Sequence, residues 1–173
     1  MGKFRYGLKS LKIEDINEAD GLGAGEPIEL KDDVYRDTFN IVEADGTTTD
    51  IYNEMDVDPV LSFSEQGKIS ATVQIMDTRV ETLALLLGGE VITVAGTSKT
   101  WSRPTVNLNL EKRVEFVTLD GYKMIIARGR IMGKINHQVR RNGIALVDIT
   151  ITALKPSVDG LATLDVIEPI VAP

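Results

Sequence analysis

Few residues in this sequence have the types and spacing that catalysis requires. The chain has no cysteine, which excludes disulfides, thiolate metal sites and cysteine nucleophiles. His137 is the only histidine, so a Ser-His-Asp arrangement would have to be built around this residue alone. Its position in a basic strand pattern is more typical of a structural residue than of a catalyst. We therefore expect that the protein is not an enzyme.

One acidic stretch has a spacing that could bind a metal ion. Glu54, Asp56 and Asp58 alternate as the first ligands of a calcium loop do, and Glu65 stands where such a loop has its last ligand. Pro59, however, occupies the position that needs glycine, because proline cannot adopt a positive φ. We therefore favour a solvated acidic hairpin and expect no metal and no cofactor.

Two glycine-containing stretches could be mistaken for nucleotide-binding loops. "AGTSKT" at residues 95–100 resembles the end of a phosphate-binding loop, but Ser98 stands where glycine is required and no helix follows. "GLGAG" at residues 21–25 lacks the helix that would hold a pyrophosphate. The sequence predicts an ordinary loop at residues 21–25.

Length and charge limit the class of protein. The 173 residues are enough for one domain, and the longest apolar run, "LALLLGG", is far short of the ~20 residues that cross a bilayer. No apolar segment follows Met1, so we expect a soluble, non-exported protein without membrane association. The net charge of −7 argues against a general nucleic-acid binder.

The charges are segregated along the chain. Residues 14–58 contain fifteen acids and two bases, whereas residues 112–141 contain eight bases and two acids. These two parts could neutralise each other within one chain, or they could meet between copies in a head-to-tail contact. Both alternatives remain open at this point.

The basic part contains one long strand pattern, "YKMIIARGRIMGKINHQV" at residues 122–139. Alternate positions form an aliphatic face and a face that carries cations on an apolar base. Only Tyr122 offers an aromatic ring, so a stacking surface for nucleic acid is absent. We therefore place self-assembly above nucleic-acid binding, with Arg128, Arg130, Lys134 and Arg140 as candidate subunit-interface residues.

The remaining patterns predict a mainly β fold. Alternating segments indicate strands throughout, with a hairpin bend at Asp45-Gly46, a second hairpin turning at "QGK" (residues 66–68), and turns at Asp120-Gly121 and Asn142-Gly143. One helix is predicted at about residues 78–88, with a capping box from Thr78 to Glu81. The fold class is a β-sandwich or β-barrel with one flanking α-helix.

The predicted organisation is a single β domain at residues 1–156, including an N-terminal arm, followed by a C-terminal extension at residues 157–173. Pro169 and Pro173 argue against a central strand in the extension. Its aliphatic residues indicate that it docks on something, for which a neighbouring copy is one candidate.

Several blocks, taken in order, resemble a known family. They are "IYNEMDVDPVLSF", "LALLLGGEV", "KTW", "DGYKMIIARGRIMGKIN" and "GIALVDITITALKP", and they cover about residues 51–156. Together they resemble the major tail tube proteins of long-tailed bacteriophages and related prophages. The resemblance implies a phage tail-tube-like β-sandwich that forms hexameric rings, which stack into a hollow tube for DNA ejection.

The resemblance also implies roles for particular segments. Residues 124–140 and 144–154 would be inner-sheet strands, and the acidic hairpin at residues 45–58 would be the inter-ring loop. Its candidate interface residues are Asp45, Asp50, Glu54, Asp56 and Asp58. Cations of the basic strand would grip DNA if they faced a lumen, so we expect them to pair with acids of a neighbouring subunit.

The partners implied are other copies of the chain, the tail terminator, tape-measure and baseplate proteins, and DNA passing through the lumen without specific binding. The implied location is the virion tail, after assembly in the host cytoplasm. Three alternatives remain: an inner tube subunit of a contractile injection apparatus, a monomeric β-sandwich binding module, and a hydrolase on a β scaffold.

Overall fold

The structure, a computed structural model, describes residues 4–106 and 108–169, and in this part β-strands dominate. One α-helix, α1 (Val80–Leu87), is present, which confirms a mainly β fold with a single helix close to residues 78–88. The strands are β1 (Leu8–Ile16), β2 (Gly23–Glu29), β3 (Asn40–Glu43), β4 (Thr47–Ile51), β5 (Leu61–Glu65), β6 (Ile69–Ile75), β7 (Glu90–Val94), β8 (Ser98–Ser102), β9 (Leu110–Thr118), β10 (Lys123–His137), β11 (Ala145–Ala153) and β12 (Leu164–Ile167).

Eight of these strands form one antiparallel sheet in the order β2-β1-β9-β10-β11-β6-β3, with β12 also paired to β10. The long β10 has room for both β11 and β12 on one side, because β11 pairs with its second part and β12 with residues 123–126. The β4–β5 and β7–β8 hairpins are separate two-stranded sheets.

The main sheet curls around its core. Leu30, directly after β2, donates a backbone hydrogen bond to the Leu11 carbonyl on β1. Four residues later, Val34 forms an isolated antiparallel β-bridge with Ile75 on β6. The rings of Phe39, before β3, and Phe116, on β9, lie 4.8 Å apart across the core. In the described residues these contacts connect β1, β6, β9 and the segment after β2 around one core, to which α1 contributes Leu83 and Leu86. The largest fully buried side chains are Phe116, Leu11, Ile13, Ile75, Leu86, Ile126, Ile131, Ile149, Ile151, Val114 and Val147.

The strand β10 confirms the predicted long strand but corrects its two faces. Its register with β9 shifts between Ile126 and Gly129, and an extra residue in a strand reverses which side chains face the core. Before the shift the core residues are Met124 and Ile126, and after it Ile131 takes the same role. Uninterrupted alternation along residues 122–139 would instead put Met124 and Ile126 on the same face as Arg128 and Arg130.

The helix α1 begins without the predicted capping box. Thr78 makes no capping hydrogen bond, and Asp77 acts instead: its carboxylate accepts hydrogen bonds from the Arg79 amide at 2.9 Å and from the Thr82 hydroxyl at 2.5 Å. The Arg79 guanidinium also binds this carboxylate, and these contacts lower the pKa of Asp77 to about 2. Leu83 and Leu86 are buried in the core.

Two turn predictions are confirmed and one loop prediction is wrong. Asp120-Gly121 joins β9 to β10, and Asn142-Gly143 joins β10 to β11. Residues 21–25 were expected to be a loop, but from Gly23 onward they belong to β2. The glycine at position 21 has a φ of +71°, so the turn before β2 uses its conformational freedom.

The acidic hairpin is longer than predicted. Asp45-Gly46 is not its bend, because β4 continues outward beyond β3 and the chain returns through β5 into β6. Residues 66–68, "QGK", therefore connect β5 to β6 without reversing the chain, and they do not form the predicted turn. The turn lies between Ile51 and Leu61, where the Val60 amide donates to the Ile51 carbonyl at 2.7 Å.

The segment after Pro156 is attached to the main sheet. Leu164–Ile167 forms β12, which pairs with β10 in antiparallel register from Lys123↔Ile167 to Ile126↔Leu164. This tail therefore docks on its own chain. The domain limits at residues 156 and 157 remain a prediction, and Pro173 lies outside the described residues.

Candidate functional site

The predicted interface residues lie in three separate places: the middle of β10, the β10–β11 turn, and a projecting hairpin together with Asp45 at its root. We use projecting hairpin for residues 47–65, which comprise β4, β5 and the turn between them, and hairpin tip for residues 52–60. Every residue from 42 to 66 is exposed, so the hairpin stands away from the body of the domain.

Of the basic residues on β10, Arg128 is satisfied within its own chain. Its Nε donates to a carboxylate oxygen of Glu111 at 2.6 Å, and its Nη1 donates to the Lys155 carbonyl at 3.2 Å. The hydrogen bond to Glu111 raises the pKa of Arg128. Arg128 thus has an acidic partner within its own chain, and its role at a subunit interface stays a prediction.

The two other candidate interface cations of β10, Arg130 and Lys134, have no ion pair among the described residues, whereas Lys123 at the start of the strand pairs with Glu115. The Nε of Arg130 is buried without a hydrogen-bond partner, although Glu111 stands opposite it on β9. Lys134 is exposed, and Asp148 stands opposite it on β11. The Asp148 carboxylate accepts hydrogen bonds from side-chain amides of neighbouring strands, so it moderates the charge of Lys134 without forming an ion pair with it.

Arg140 lies in the β10–β11 turn, where its guanidinium donates to the Gln138 side-chain oxygen at 2.8 Å. The ladder places this turn at one end of the sheet. The projecting hairpin leaves from the other end, because it continues beyond the pair Glu43↔Ile69. The acids of the projecting hairpin and Arg140 therefore belong to opposite ends of one chain.

The hairpin tip is held in shape by its own residues. The Asn53 side-chain oxygen accepts from the amides of Met55 and Asp56 at 2.7 and 2.8 Å, and the Asn53 amide group donates to the Asp56 carboxylate at 2.5 Å. Nearer the root, the Asp50 carboxylate accepts from the Ser62 hydroxyl. No base forms an ion pair with Asp45, Asp50, Glu54, Asp56 or Asp58 in the described residues.

The projecting hairpin exposes large apolar side chains as well as acids. Met55 and Val57 at the tip are 91% and 94% exposed, and further apolar side chains continue down both strands. These are Ile51, Tyr52, Val60, Leu61 and Phe63. Such a continuous exposed apolar surface on a monomer is typical of a protein interaction site.

The chemical alternatives find little support in the described geometry. Glu65 pairs with Thr47 at the root of the projecting hairpin, about 13 Å of strand away from Ile51 and the tip acids, so the calcium-loop ligands do not converge. No cluster of acids and histidine suited to a metal ion occurs in residues 4–106 and 108–169. His137 is exposed at the end of β10, and Lys99 lies within β8 paired with Glu81.

The charge segregation is only partly resolved within the chain. Glu14 pairs with Arg113 and Asp15 with Lys112, where β1 runs beside β9. These contacts support internal neutralisation for the start of the acidic part. The acids of the projecting hairpin have no such partner and remain available to another molecule.

Sequence reasoning missed a second basic site. A cavity of about 320 Å³ lies between the end of α1, residues 103–106 and 108–110, and β10. Arg103 and Arg130 both line it. The only signal in the sequence was "SRP" after β8, which identifies no partner for Arg103.

Comparison with known protein families finds no matching family model, and comparison with curated proteins finds no match. Among the described residues, no helix is long and apolar enough to span a membrane. Interpretation of the protein therefore depends on its own sequence and geometry.

Proposed function

We propose that this protein is a structural subunit that assembles with copies of itself into stacked hexameric rings, forming a tube like that of a phage tail. The observation that carries the proposal is the projecting hairpin, with its exposed apolar side chains and unpaired acids. Its strands are paired to each other and joined directly to β3 and β6, so it is an ordered extension of the main sheet.

Exposed apolar surface is the physical reason for assembly. Burying a side chain such as Met55, Val57 or Phe63 contributes about 1.5–3 kcal/mol relative to leaving it in water. The isolated chain leaves these residues largely exposed. Contact with another copy would bury them, while the surrounding acids favour a basic acceptor and disfavour pairing of two projecting hairpins.

The edges of the main sheet offer a second kind of contact. In the described residues the sheet ends at β2 on one side and β3 on the other, and neither outer edge is paired. Unpaired edges are templates for strands of another chain. Two different edges on one subunit are suited to head-to-tail joining, which closes into a ring when the rotation allows.

One face of the sheet is suited to line a conduit. Opposite the core, rows of mostly polar side chains cross β10, β11 and β6, for example Lys134-Asp148-Gln74, and Met132-Thr150-Thr72 with one apolar member. Arg128 is paired with Glu111, and Lys134 faces Asp148. We propose this face as the inner surface, past which DNA moves without specific binding.

In this proposal the protein belongs to the virion tail, is assembled in the host cytoplasm, and meets tail terminator, tape-measure and baseplate proteins at the tube ends. Negative-stain electron microscopy of the purified chain at rising concentration tests its first step. We expect rings or tubes. The proposal would be contradicted if the particles stayed strictly monomeric at all concentrations, also after addition of preassembled complexes of the proteins at the tube ends.

A variant pair tests whether the projecting hairpin drives assembly. Replacing Met55 and Val57 by serine removes apolar surface without changing charge, so we expect at least a tenfold rise in the protein concentration needed for assembly. Val139→Ser is the matched control, because Val139 is 91% exposed in the β10–β11 turn. Equal effects of both changes would show that general surface hydrophobicity, and not the hairpin tip, drives association.

A further inference from the structure

The cavity beside α1 is walled by apolar groups and lined by two arginines. Leu86 and Leu87 of α1 form one wall, Pro104 and Leu108 another, and Arg130 to Gly133 of β10 a third. Its volume of about 320 Å³ is at the lower limit of ligand pockets, which suits one or two side chains better than a cofactor. The lining therefore combines room for an apolar group with positive charge.

Neither arginine has an anionic partner among the described residues. The buried Nε of Arg130 lacks any hydrogen bond, and the neighbouring Glu111 is bound to Arg128 instead. Arg103 also lines an adjoining hollow that contains Glu90, yet the two form no ion pair. A buried donor without a partner is costly, and arginine is well suited to bind a carboxylate through two hydrogen bonds. The geometry thus points to an acidic ligand.

Among the described residues, the second part of β10 also lacks a strand partner on the β9 side at this place. The strand β9 ends at the pair Leu110↔Ile131, so from Met132 onward β10 has no strand on that side in the described part. An extended peptide could therefore lie along this edge, with alternate side chains directed into the cavity. The matching ligand is an extended segment in which acids alternate with apolar residues.

We propose that this cavity is a carboxylate-binding site whose occupant is the hairpin tip of a second copy, an inference that rests on the proposed function. The tip alternates Glu54, Met55, Asp56, Val57 and Asp58, with exposed apolar residues and acids that have no base nearby. Its charge is opposite to that of Arg103 and Arg130, so acid and cation satisfy each other.

The two surfaces also lie at different levels of the subunit. The hairpin tip lies beyond the end of the sheet marked by Glu43↔Ile69, whereas Arg130 to Gly133 of the cavity lie within the sheet, in the rows of Ser70 to Val73. A contact between two unlike surfaces, one of which projects beyond the end of the sheet, is head-to-tail and repeats from subunit to subunit along the projecting direction. This contact would therefore stack subunits one above another.

Charge exchange in the full-length protein tests the inference. We expect Arg103→Glu with Arg130→Glu, and separately Glu54→Lys with Asp56→Lys, each to raise the concentration needed for assembly at least tenfold. All four changes together should restore the concentration needed for assembly to within about threefold of the wild-type value. The control is Arg36→Glu with Arg141→Glu, the same charge change at two exposed arginines. Assembly of the Arg103→Glu, Arg130→Glu protein at the wild-type concentration would overturn the inference. So would a protein with all four changes that unfolds at the normal temperature but does not regain assembly.

Direct binding separates this inference from the proposed function. A fluorescent peptide of residues 51–61 is titrated with the full chain below its assembly concentration, and we expect the Arg103→Gln, Arg130→Gln variant to bind at least tenfold more weakly. If the Arg103→Glu, Arg130→Glu protein does not fold, these neutral changes test the cavity in its place. If a chain that never assembles binds the peptide through the two arginines, the binding role of the cavity is supported and the proposed tube assembly is refuted. If the chain forms tubes but does not bind the peptide, the binding role of the cavity is refuted and the proposed tube assembly is supported.

Discussion

At the scale of single residues, Asp77 connects the end of β6 to the start of α1. Its carboxylate binds the Thr82 hydroxyl, the Arg79 amide and the Arg79 guanidinium, and its side chain is only 7% exposed. We expect Asp77→Ala to lower the free energy of unfolding by about 2 kcal/mol, because the Arg79 amide before α1 and the buried Thr82 hydroxyl both lose their hydrogen-bond acceptor. Chemical denaturation measures this. Asp159→Ala, at an exposed aspartate, is the control and should change stability by less than about 0.5 kcal/mol.

The same residue predicts a dependence of stability on pH. The Arg79 hydrogen bond lowers the pKa of Asp77 from 3.8 to about 2, so its contribution is complete above pH 3.8 and is lost as pH falls towards 2. The loss is about 2 kcal/mol. Asp33 acts with the opposite sign, because burial and the charge of Asp77 raise its pKa, and its protonation on acidification favours the folded state. Denaturation of wild type and Asp77→Asn between pH 5 and pH 2 should converge on acidification; a constant difference would contradict the assignment.

At the scale of elements, the root of the projecting hairpin depends on two glycines. A Cβ on Gly67 would overlap the Ala44 carbonyl oxygen, and one on Gly46 would lie 2.6 Å from the Glu65 carbonyl oxygen. We expect Gly67→Ala to force the two strands apart, because backbone atoms cannot yield as a flexible side chain does. The Ala44 amide, which donates to the Lys68 carbonyl at 3.0 Å, should then exchange with deuterium at least tenfold faster.

The control for this change is Gly96→Ala in the β7–β8 turn. A Cβ there meets no atom within 4 Å, although the φ of +71° makes alanine unfavourable by about 1–2 kcal/mol. We expect Gly96→Ala to affect its own turn and to leave exchange at Ala44 and assembly unchanged. Slow exchange at Ala44 in the Gly67→Ala protein would show that the root adjusts to the added methyl group.

The sequence predicted those elements whose signals are local. Period-two alternation located β10, and the dipeptides Asp120-Gly121 and Asn142-Gly143 located the turns on either side of it. Asp45-Gly46 has the same local signal but lies inside a continuing ladder, since a glycine also serves where two backbones approach closely. The register shift after Ile126 was likewise invisible, because it depends on the partner strand β9.

The candidate site shows the same division between local and long-range information. The acids and apolar residues of the projecting hairpin could be identified from the sequence because they are contiguous. Which cations lack a partner could not be identified from the sequence. The Glu111 carboxylate binds Arg128, although Glu111 stands opposite Arg130 in the ladder, and the Nε of Arg130 has no partner. The role of Arg103 depended on the placement of α1 against β10, which no local pattern determines.

At the scale of the whole molecule, the unpaired edge of β3 allows lateral association to be tested separately from folding. The Ala44 amide donates to Lys68, and the alternation of an antiparallel ladder then makes Val42↔Ser70 a hydrogen-bonded pair and directs the Glu43 amide away from β6. Glu43→Pro therefore removes a donor from the open edge and keeps the internal ladder, a position at which edge strands tolerate proline. Val42→Pro instead removes a donor from the ladder itself.

These two variants distinguish edge pairing from assembly by the projecting hairpin alone. If subunits join around a ring through β3, Glu43→Pro should stay folded, with a free energy of unfolding within about 1 kcal/mol of wild type, and should form no rings at concentrations where the wild type does. Val42→Pro should be destabilised by about 3 kcal/mol. Analytical ultracentrifugation beside thermal unfolding measures both quantities. Normal rings from the Glu43→Pro protein would exclude hydrogen bonding at this edge and leave the contacts of the projecting hairpin, together with the opposite edge at β2, as the source of lateral order.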